Sequence, residues 1–374
     1  MYYFFLGNTP ELSLLELSVL YPEEFTLITP SIASYPAQLD LASLSRLGGT
    51  RKVAVILSTV SPKDLTAKLI ELISNDKASA QGGSAVGGKN IALTDYADLA
   101  LNHGVFKTLK SSLTRPIRFV SLDTTEHELL MLSHQHVAEF NLLQGGDSIV
   151  IAKTVWIYDA EDWVARDRDK PYRDIKRGML PPKVARIMVN LATQGKSGLT
   201  LADPFCGTGT ILAEAMMVGC HVIGGDTNPE AITGSQSNLE WLKSSPQLPP
   251  VNYRLSVGDA THFHELTPAC DCLATEPYMG PLLDERNPSS LPKIKNIARG
   301  LDKLYRGAFK SFHLSLPLGG RVVFSLPSFK VYGREITTIS IDTLASLGYN
   351  YVSSVAYGKP GAAVVRNITI LEKK

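Results

Sequence analysis

Residues 203–210 read Asp-Pro-Phe-Cys-Gly-Thr-Gly-Thr, with a mostly apolar run before them at 199–202 and an apolar, Ala-rich stretch after them at 211–218. Buried strand, glycine turn and helix, in that order, let bare backbone come close to a nucleotide-like ligand. The acid at the strand end and the single tight Gly-x-Gly point to S-adenosylmethionine. A dinucleotide site favours Gly-x-Gly-x-x-Gly, and Leu212 stands where its third glycine would be. Asp203, Phe205, Cys206, Gly207, Thr208 and Gly209 are therefore candidate cofactor contacts. Asp226, with Thr227 and Asn228 after it, closes a second strand about 20 residues on, where a carboxylate can take both ribose hydroxyls. Asp259 closes a third, able to accept from an adenine amino group while Ala260 leaves room for the ring. One such Asp alone serves equally well as a turn or helix-capping residue. Three at successive strand ends coincide with the carboxyl edge at which open α/β sheets bind ligands.

The fourth strand ends Thr275-Glu276-Pro277-Tyr278. Enzymes that methylate an exocyclic amino group of a base usually carry (Asp/Asn/Ser)-Pro-Pro-(Tyr/Phe) here. That nitrogen is a poor nucleophile because its lone pair is conjugated into the ring. A side-chain acceptor and a proline-held carbonyl can take both N–H bonds and direct the lone pair at a methyl group, while an aromatic ring stacks on the base. Thr275 occupies the acceptor place, Glu276 replaces the first proline and is a second acceptor if it turns inward, and Pro277 and Tyr278 are kept. The same run also reads as a strand-to-loop turn with a buried tyrosine.

These residues need a regular frame. Strands are expected at 199–203, 221–226, 253–257, 271–275, 321–326, 351–356 and 364–371, with helices near 210–218, 229–243, 297–315 and 335–346. A doubly wound α/β sheet of seven strands with one antiparallel member is the class I, Rossmann-like methyltransferase layout. Upstream, a strand at 2–6, helices at 11–20 and 39–47, a strand at 52–57, a Gly/Ser/Ala-rich loop at 74–89, and strands at 118–121 and 148–156 flanking a helix over 126–141 suggest a smaller α+β region. The expected division is 1–158 for that region, 159–182 for a charged linker and 183–374 for the methyltransferase domain. Residues 166–178 hold six basic and three acidic side chains. They read either as a solvated linker or as a segment touching phosphate or covering the cofactor, through Arg166, Arg173, Lys176 and Arg177. Lys107, Lys110, Arg115 and Arg118 form a second basic cluster that is either a solvated face or a phosphate contact.

The chain's 37 Lys and Arg nearly balance its 36 Asp and Glu, so nucleic-acid binding must come from a local patch. Cys270-x-Cys272, His262-x-His264 and His134-x-His136 lack the spacings of structural zinc sites, so no metal is expected and the four cysteines read as thiols of a reducing cytosol. Without a signal peptide or a membrane-length apolar run, the chain reads as cytoplasmic.

Over most of its length the sequence resembles the archaeal and eukaryotic tRNA guanosine methyltransferases that make 2-methylguanosine at position ten. The resemblance is carried by residues 4–12 and 47–50, by Arg166-Asp167, Pro171, Arg173-Asp174 and Gly178-Met179-Leu180-Pro181-Pro182-Lys183, by 203–210, and by Tyr357-Gly358-Lys359-Pro360. It implies an N-terminal ferredoxin-like region, an RNA-binding THUMP domain, a C-terminal methyltransferase, S-adenosylmethionine as cofactor and tRNA as partner. For eukaryotic relatives it also implies a small activating subunit. The family usually reads Asp-Pro-Pro-Tyr where this chain reads Thr-Glu-Pro-Tyr. Methylation of adenine or another RNA or DNA target, or RNA binding without catalysis, are the other readings of that site.

Overall fold

The computed structural model describes residues 1–374 apart from 77–89, 100, 102, 114–115, 123–128, 130–131, 135, 175–178, 282–289 and 360. Two units emerge. The first contains Met1–Pro10, Tyr21–Ser45 and Thr50–Glu161. Its strands are β1 (Tyr2–Leu6), β2 (Thr26–Thr29), β3 (Ile32–Tyr35), β4 (Thr50–Val60), β5 (Asn90–Asp95), β6 (Arg118–Phe119), β7 (Ala138–Gly145) and β8 (Ser148–Ile157). They form one sheet in the order β2-β3-β1-β4-β8-β7-β5-β6. Pairing is antiparallel except where β5 meets β6 and β7. Helix α1 (Pro10–Leu20) lies in the second unit from Glu11 onward, whereas α2 (Leu65–Asn75) and α3 (His103–Ser112) stay in the first. Leu65, Leu69 and Ile73, spaced four apart, turn one face of α2 into a core with Ile91, Phe140 and Ile151.

Two expectations fail in this unit. The helix expected over 126–141 gives way to a strand from Ala138. Ala, Glu and Leu there favour helix locally, but Gly146-Asp147 forms a two-residue connection that zips β7 onto β8 with Gly145 opposite Ser148. The helix expected at 39–47 shrinks to a 3-10 turn at Leu41–Arg46. The loop expected at 74–89 lies almost wholly outside the described residues, although α2 runs on to Asn75.

The second unit contains Glu11–Leu20, Arg46–Gly49 and Asp162–Lys374. Its strands are β9 (Thr200–Asp203), β10 (His221–Asp226), β11 (Tyr253–Val257), β12 (Cys272–Thr275), β13 (Arg321–Val331), β14 (Arg334–Thr337), β15 (Tyr349–Tyr357) and β16 (Val364–Lys373). The sheet order is β11-β10-β9-β12-β13-β16-β15, with β14 hairpinned onto β13. Strands β9 to β13 run parallel, and β16 is antiparallel to both its neighbours. The β14 hairpin makes eight strands, one more than expected, and replaces the start of the helix expected at 335–346. The helices are α4 (Ala160–Val164), α5 (Pro182–Thr193), α6 (Thr210–Met217), α7 (Pro229–Lys243), α8 (Phe263–Leu266), α9 (Leu291–Ser315) and α10 (Ile341–Ser346). From β9 the chain winds outward through β10 to β11, then returns to β12 on the other side. The carboxyl ends of β9 and β12 therefore flank the switch point, where such sheets open a crevice. Among the described residues, no helix is long and apolar enough to cross a membrane.

The N-terminal pieces of this unit explain a glycine pair. Glu16 of α1 is fully buried, and its carboxylate accepts from the amides of Gly48 (2.9 Å) and Gly49 (2.8 Å) and from Asn190 Nδ2 (2.6 Å). A Cβ on Gly48 would lie 2.5 Å from the Lys183 carbonyl oxygen, so only glycine fits there. Gly48 and Gly49 thus supply the two amides of a carboxylate clamp.

Candidate active site

The turn after β9 is shaped by Gly207 (φ +51°) and Gly209 (φ +82°), backbone that residues with a Cβ avoid. At Gly209 a Cβ would lie 2.4 Å from Ser235 Oγ of α7, whereas at Gly207 it would meet nothing within 4 Å. One glycine packs the turn against a helix, and the other leaves its outer face bare. Asp226, at the end of β10, accepts from the Gly207 amide through Oδ2 (3.0 Å) and from the Asn228 amide through Oδ1 (2.9 Å). Asn228 caps α7 by accepting from the Glu230 amide (3.0 Å), and Thr227 is exposed. Asp259 caps the turn Ala260–His262 through the Thr261 amide (2.8 Å), beside a buried Ala260.

Asp203 is 1% exposed. Its Oδ1 accepts from the Phe205 amide (3.1 Å) and the Thr275 hydroxyl (2.5 Å). Burial pushes its carboxyl up to about 7; the two hydrogen bonds oppose that rise, and the charges of Asp226 and Glu276 add to it. Cys206, also buried, has its thiol pushed far up and stays protonated.

Across the switch point, Thr275 is fully buried with its proton committed to Asp203. Its side chain thus points into the fold, contrary to the expectation that it faces a base. Glu276 is the next carboxylate along, its side chain 15% exposed. Oε1 accepts from Arg366 Nε at 2.5 Å, and Oε2 has no partner among the described residues. Pro277 is buried, and Tyr278 is 58% exposed rather than a buried turn tyrosine. The Tyr278 carbonyl accepts from the buried Tyr305 hydroxyl of α9 (2.8 Å), which fixes the backbone that presents the ring.

The charged segment splits. Arg166 is buried, stacked 4.2 Å from the Trp163 ring centroid and paired with Glu214 (2.7 Å) and Asp162. An arginine expected to meet phosphate is spent internally, because Glu214 on α6 is itself buried and needs a counter-charge. Arg173 is exposed; Lys176 and Arg177 lie outside the described residues. Of the other cluster, Lys107, Lys110 and Arg118 are exposed, and Arg115 lies outside the described residues.

Sequence reasoning missed four residues here. Lys170 is buried and donates to Thr210 Oγ1 (3.1 Å) at the start of α6, where burial pulls its ammonium pKa down. Asn238 donates to the Thr208 carbonyl (2.9 Å) and exchanges two hydrogen bonds with the Tyr172 backbone, tying the glycine turn to the charged segment. Gly234, in mid-helix, marks where the Tyr172 ring lies, since a Cβ there would come within 2.2 Å of it. Arg366 is the fourth omission, and nothing near it in sequence signals its partner Glu276. A shallow groove beside Lys170 and Trp241 is lined by none of the strand-end carboxylates, but it shares Thr208 and Gly209 with the glycine turn.

Fold and site define an α/β unit whose switch-point crevice is bounded by a bare glycine turn, an exposed aromatic ring and a half-clamped carboxylate. Residues 170–288 match the UPF0020 family, an RMKL-like methyltransferase domain. A tRNA (guanine(10)-N2)-dimethyltransferase of Pyrococcus abyssi is 32% identical over 169 residues, 41% of this chain and 44% of the relative. One from Methanothermobacter thermautotrophicus is 28% identical over 184 residues, 49% of this chain and 48% of the relative. The chain thus spans about half the length of the curated relatives it matches. In fold it is similar to TrmN from Thermus thermophilus, with a TM-score of 0.52 at 18% identity over the whole of both chains.

Proposed function

We propose that this protein is an S-adenosylmethionine-dependent methyltransferase acting on the exocyclic N2 amino group of a guanosine in tRNA. One observation carries the reading: the bare glycine turn and its three strand-end acids lie across the switch point from Glu276-Pro277-Tyr278, where a cofactor and a base can meet. The names of the archaeal relatives supply the nucleoside and the RNA. The open face of Gly207 and the carboxylates of Asp226 and Asp259 fit a purine nucleoside with free ribose hydroxyls, and Asp203 fits an ammonium donor. When bound, S-adenosylmethionine supplies an electrophilic methyl group. The protein's part is placement. Tyr278 stacks on the flipped base, while Glu276 Oε2 and the Pro277 carbonyl accept from the amino group and direct its lone pair. Lys107, Lys110, Arg118 and Arg173 are exposed cations suited to RNA phosphates, in a cytoplasmic protein whose first unit serves as the RNA-binding, THUMP-like region.

With labelled cofactor and unmodified bulk tRNA, digestion to nucleosides is expected to yield guanosine methylated at N2. Cofactor bound without methylated guanosine overturns the reading, and methylated adenosine reassigns the base.

Cofactor affinity should also depend on pH. Asp203 binds a proton up to about pH 7 in the free protein, and an ammonium-bearing ligand favours its ionised form. Binding therefore releases a proton below pH 7, and affinity rises as pH rises toward 7, by up to about tenfold per unit, then levels off. Calorimetric titration from pH 5.5 to 8.5 checks this. Asp203→Asn should bind more weakly and show a flat profile over that range; an unchanged slope in the variant would remove Asp203 from the ligand.

A further inference from the structure

Helix α9 is charged out of proportion to the chain. It carries six Lys or Arg against one acid, Asp302, in a protein that is nearly neutral as a whole. Lys295, Arg299, Lys303, Arg306 and Lys310 follow one another at steps of four, four, three and four residues. At 3.6 residues per turn, that spacing sets all five on one stripe about 80° wide and about 22 Å long. All five are exposed, and the helix buries Ile294, Ala298, Leu301, Tyr305, Ala308 and Phe312 on its other side. Arg306 is paired with Asp302; the other four have no ion pair among the described residues. Unpaired like charges repel one another, so local stability does not account for such a row.

The same helix holds the candidate base-binding turn. The Tyr305 hydroxyl bonds the Tyr278 carbonyl, and a Cβ on Gly280 would meet Ile297 at 3.0 Å and Leu301 at 3.7 Å. The stripe and the exposed aromatic ring thus belong to one rigid assembly.

We infer that this face of α9 is a docking track for the sugar-phosphate backbone of the RNA whose nucleotide enters the site. The inference rests on the RNA substrate proposed above and adds a surface to it. A row of cations at one-turn intervals matches a polyanion in charge and can follow a backbone without reading its sequence. Docking there would bring the RNA to the helix that fixes Tyr278, so backbone contact and base placement share one element.

The test measures tRNA binding without cofactor by fluorescence anisotropy from 50 to 300 mM KCl. The variant Lys295→Gln/Arg299→Gln/Lys303→Gln is compared with Lys63→Gln/Lys196→Gln/Lys243→Gln, which neutralises three exposed cations elsewhere. For the α9 variant, affinity at 50 mM salt is expected to fall at least tenfold. The slope of log affinity against log salt should flatten by about 2 to 3, at roughly 0.7 to 0.9 for each phosphate no longer neutralised. Thermal melting and cofactor affinity should not change. Equal slopes in the two variants overturn the track, as does salt-sensitive binding to anionic phospholipid vesicles with none to tRNA. Methylation that persists while the slopes stay equal sinks the track alone. A flattened slope in a protein that never methylates sinks the catalytic reading and leaves the track standing.

Discussion

Glu276→Ala is expected to lower the single-turnover rate of guanosine methylation about 100-fold, equivalent to about 2.7 kcal/mol of transition-state stabilisation, with cofactor affinity within about twofold of the parent. The amino nitrogen gains positive charge as its lone pair is used, so a carboxylate accepting from it is worth most in the transition state. Glu276 is the side chain placed to do this. One oxygen is fixed by Arg366 at 2.5 Å and the other is open, whereas the Thr275 proton is turned onto Asp203. Glu276→Gln keeps an acceptor without its charge and should fall between parent and alanine variant, since charge-assisted hydrogen bonds are about twice as strong as neutral ones. Arg366→Lys should be less impaired than Arg366→Ala, because an ammonium keeps the charge but loses the fixed fork geometry. If Glu276→Ala methylates at the parent rate and Thr275→Val does not, the acceptor is Thr275 and the clamp is structural.

The parts legible in the sequence were those whose chemistry is local. A strand-end acid, glycines forced to positive φ and an apolar helix after them are consecutive, so 203–218 could be read directly, and Asp226 and Asp259 follow from the same strand-end logic. What escaped was set by tertiary pairing. Asp203 and Thr275 are 72 positions apart and meet only because β9 and β12 are neighbours at the switch point. Arg366 and Glu276 are brought together across 90 positions by the antiparallel β16. The same limit applies to Arg166. In sequence it is one of a run of charges, and only the buried Glu214 of α6, 48 positions on, makes it an internal residue. The helix-favouring composition of Ala138–Gly145 lost to a hairpin whose Gly146-Asp147 connection was the more reliable local signal. The α9 stripe, by contrast, is plain in the sequence as a periodicity of charge, but the turn it lies beside is set by the fold.

Glu214→Ala should destabilise the second unit by about 3 to 5 kcal/mol, lowering its melting temperature by about 10 °C in a calorimetric scan. Glu214 is 1% exposed and lies between two guanidiniums, Arg166 Nε at 2.7 Å and Arg186 Nη2 at 2.7 Å. Both arginines are buried and face the Trp163 ring, at 4.2 Å and 5.2 Å from its centroid. Without the carboxylate, two buried like charges lose the acid that they share, with Asp162 beside Arg166 and the charge of Glu16 near Arg186 left to offset them. The cost is then that of uncompensated burial rather than of a single missing ion pair. Arg166 keeps Asp162 as a second acid, so removing the other guanidinium should relieve much of the strain. The double variant Glu214→Ala/Arg186→Leu is accordingly expected to melt above Glu214→Ala alone, a non-additivity that independent sites would not show. Additive losses would mean that the two arginines do not share the carboxylate. The consequence reaches the cofactor turn. The segment from Arg166 to Tyr172 is held to α6 and α7 by Glu214, by Lys170 on Thr210 and by Asn238, which also grips the Thr208 carbonyl. Loosening the first of these anchors should therefore weaken cofactor binding even though Glu214 lies outside the row of strand-end acids.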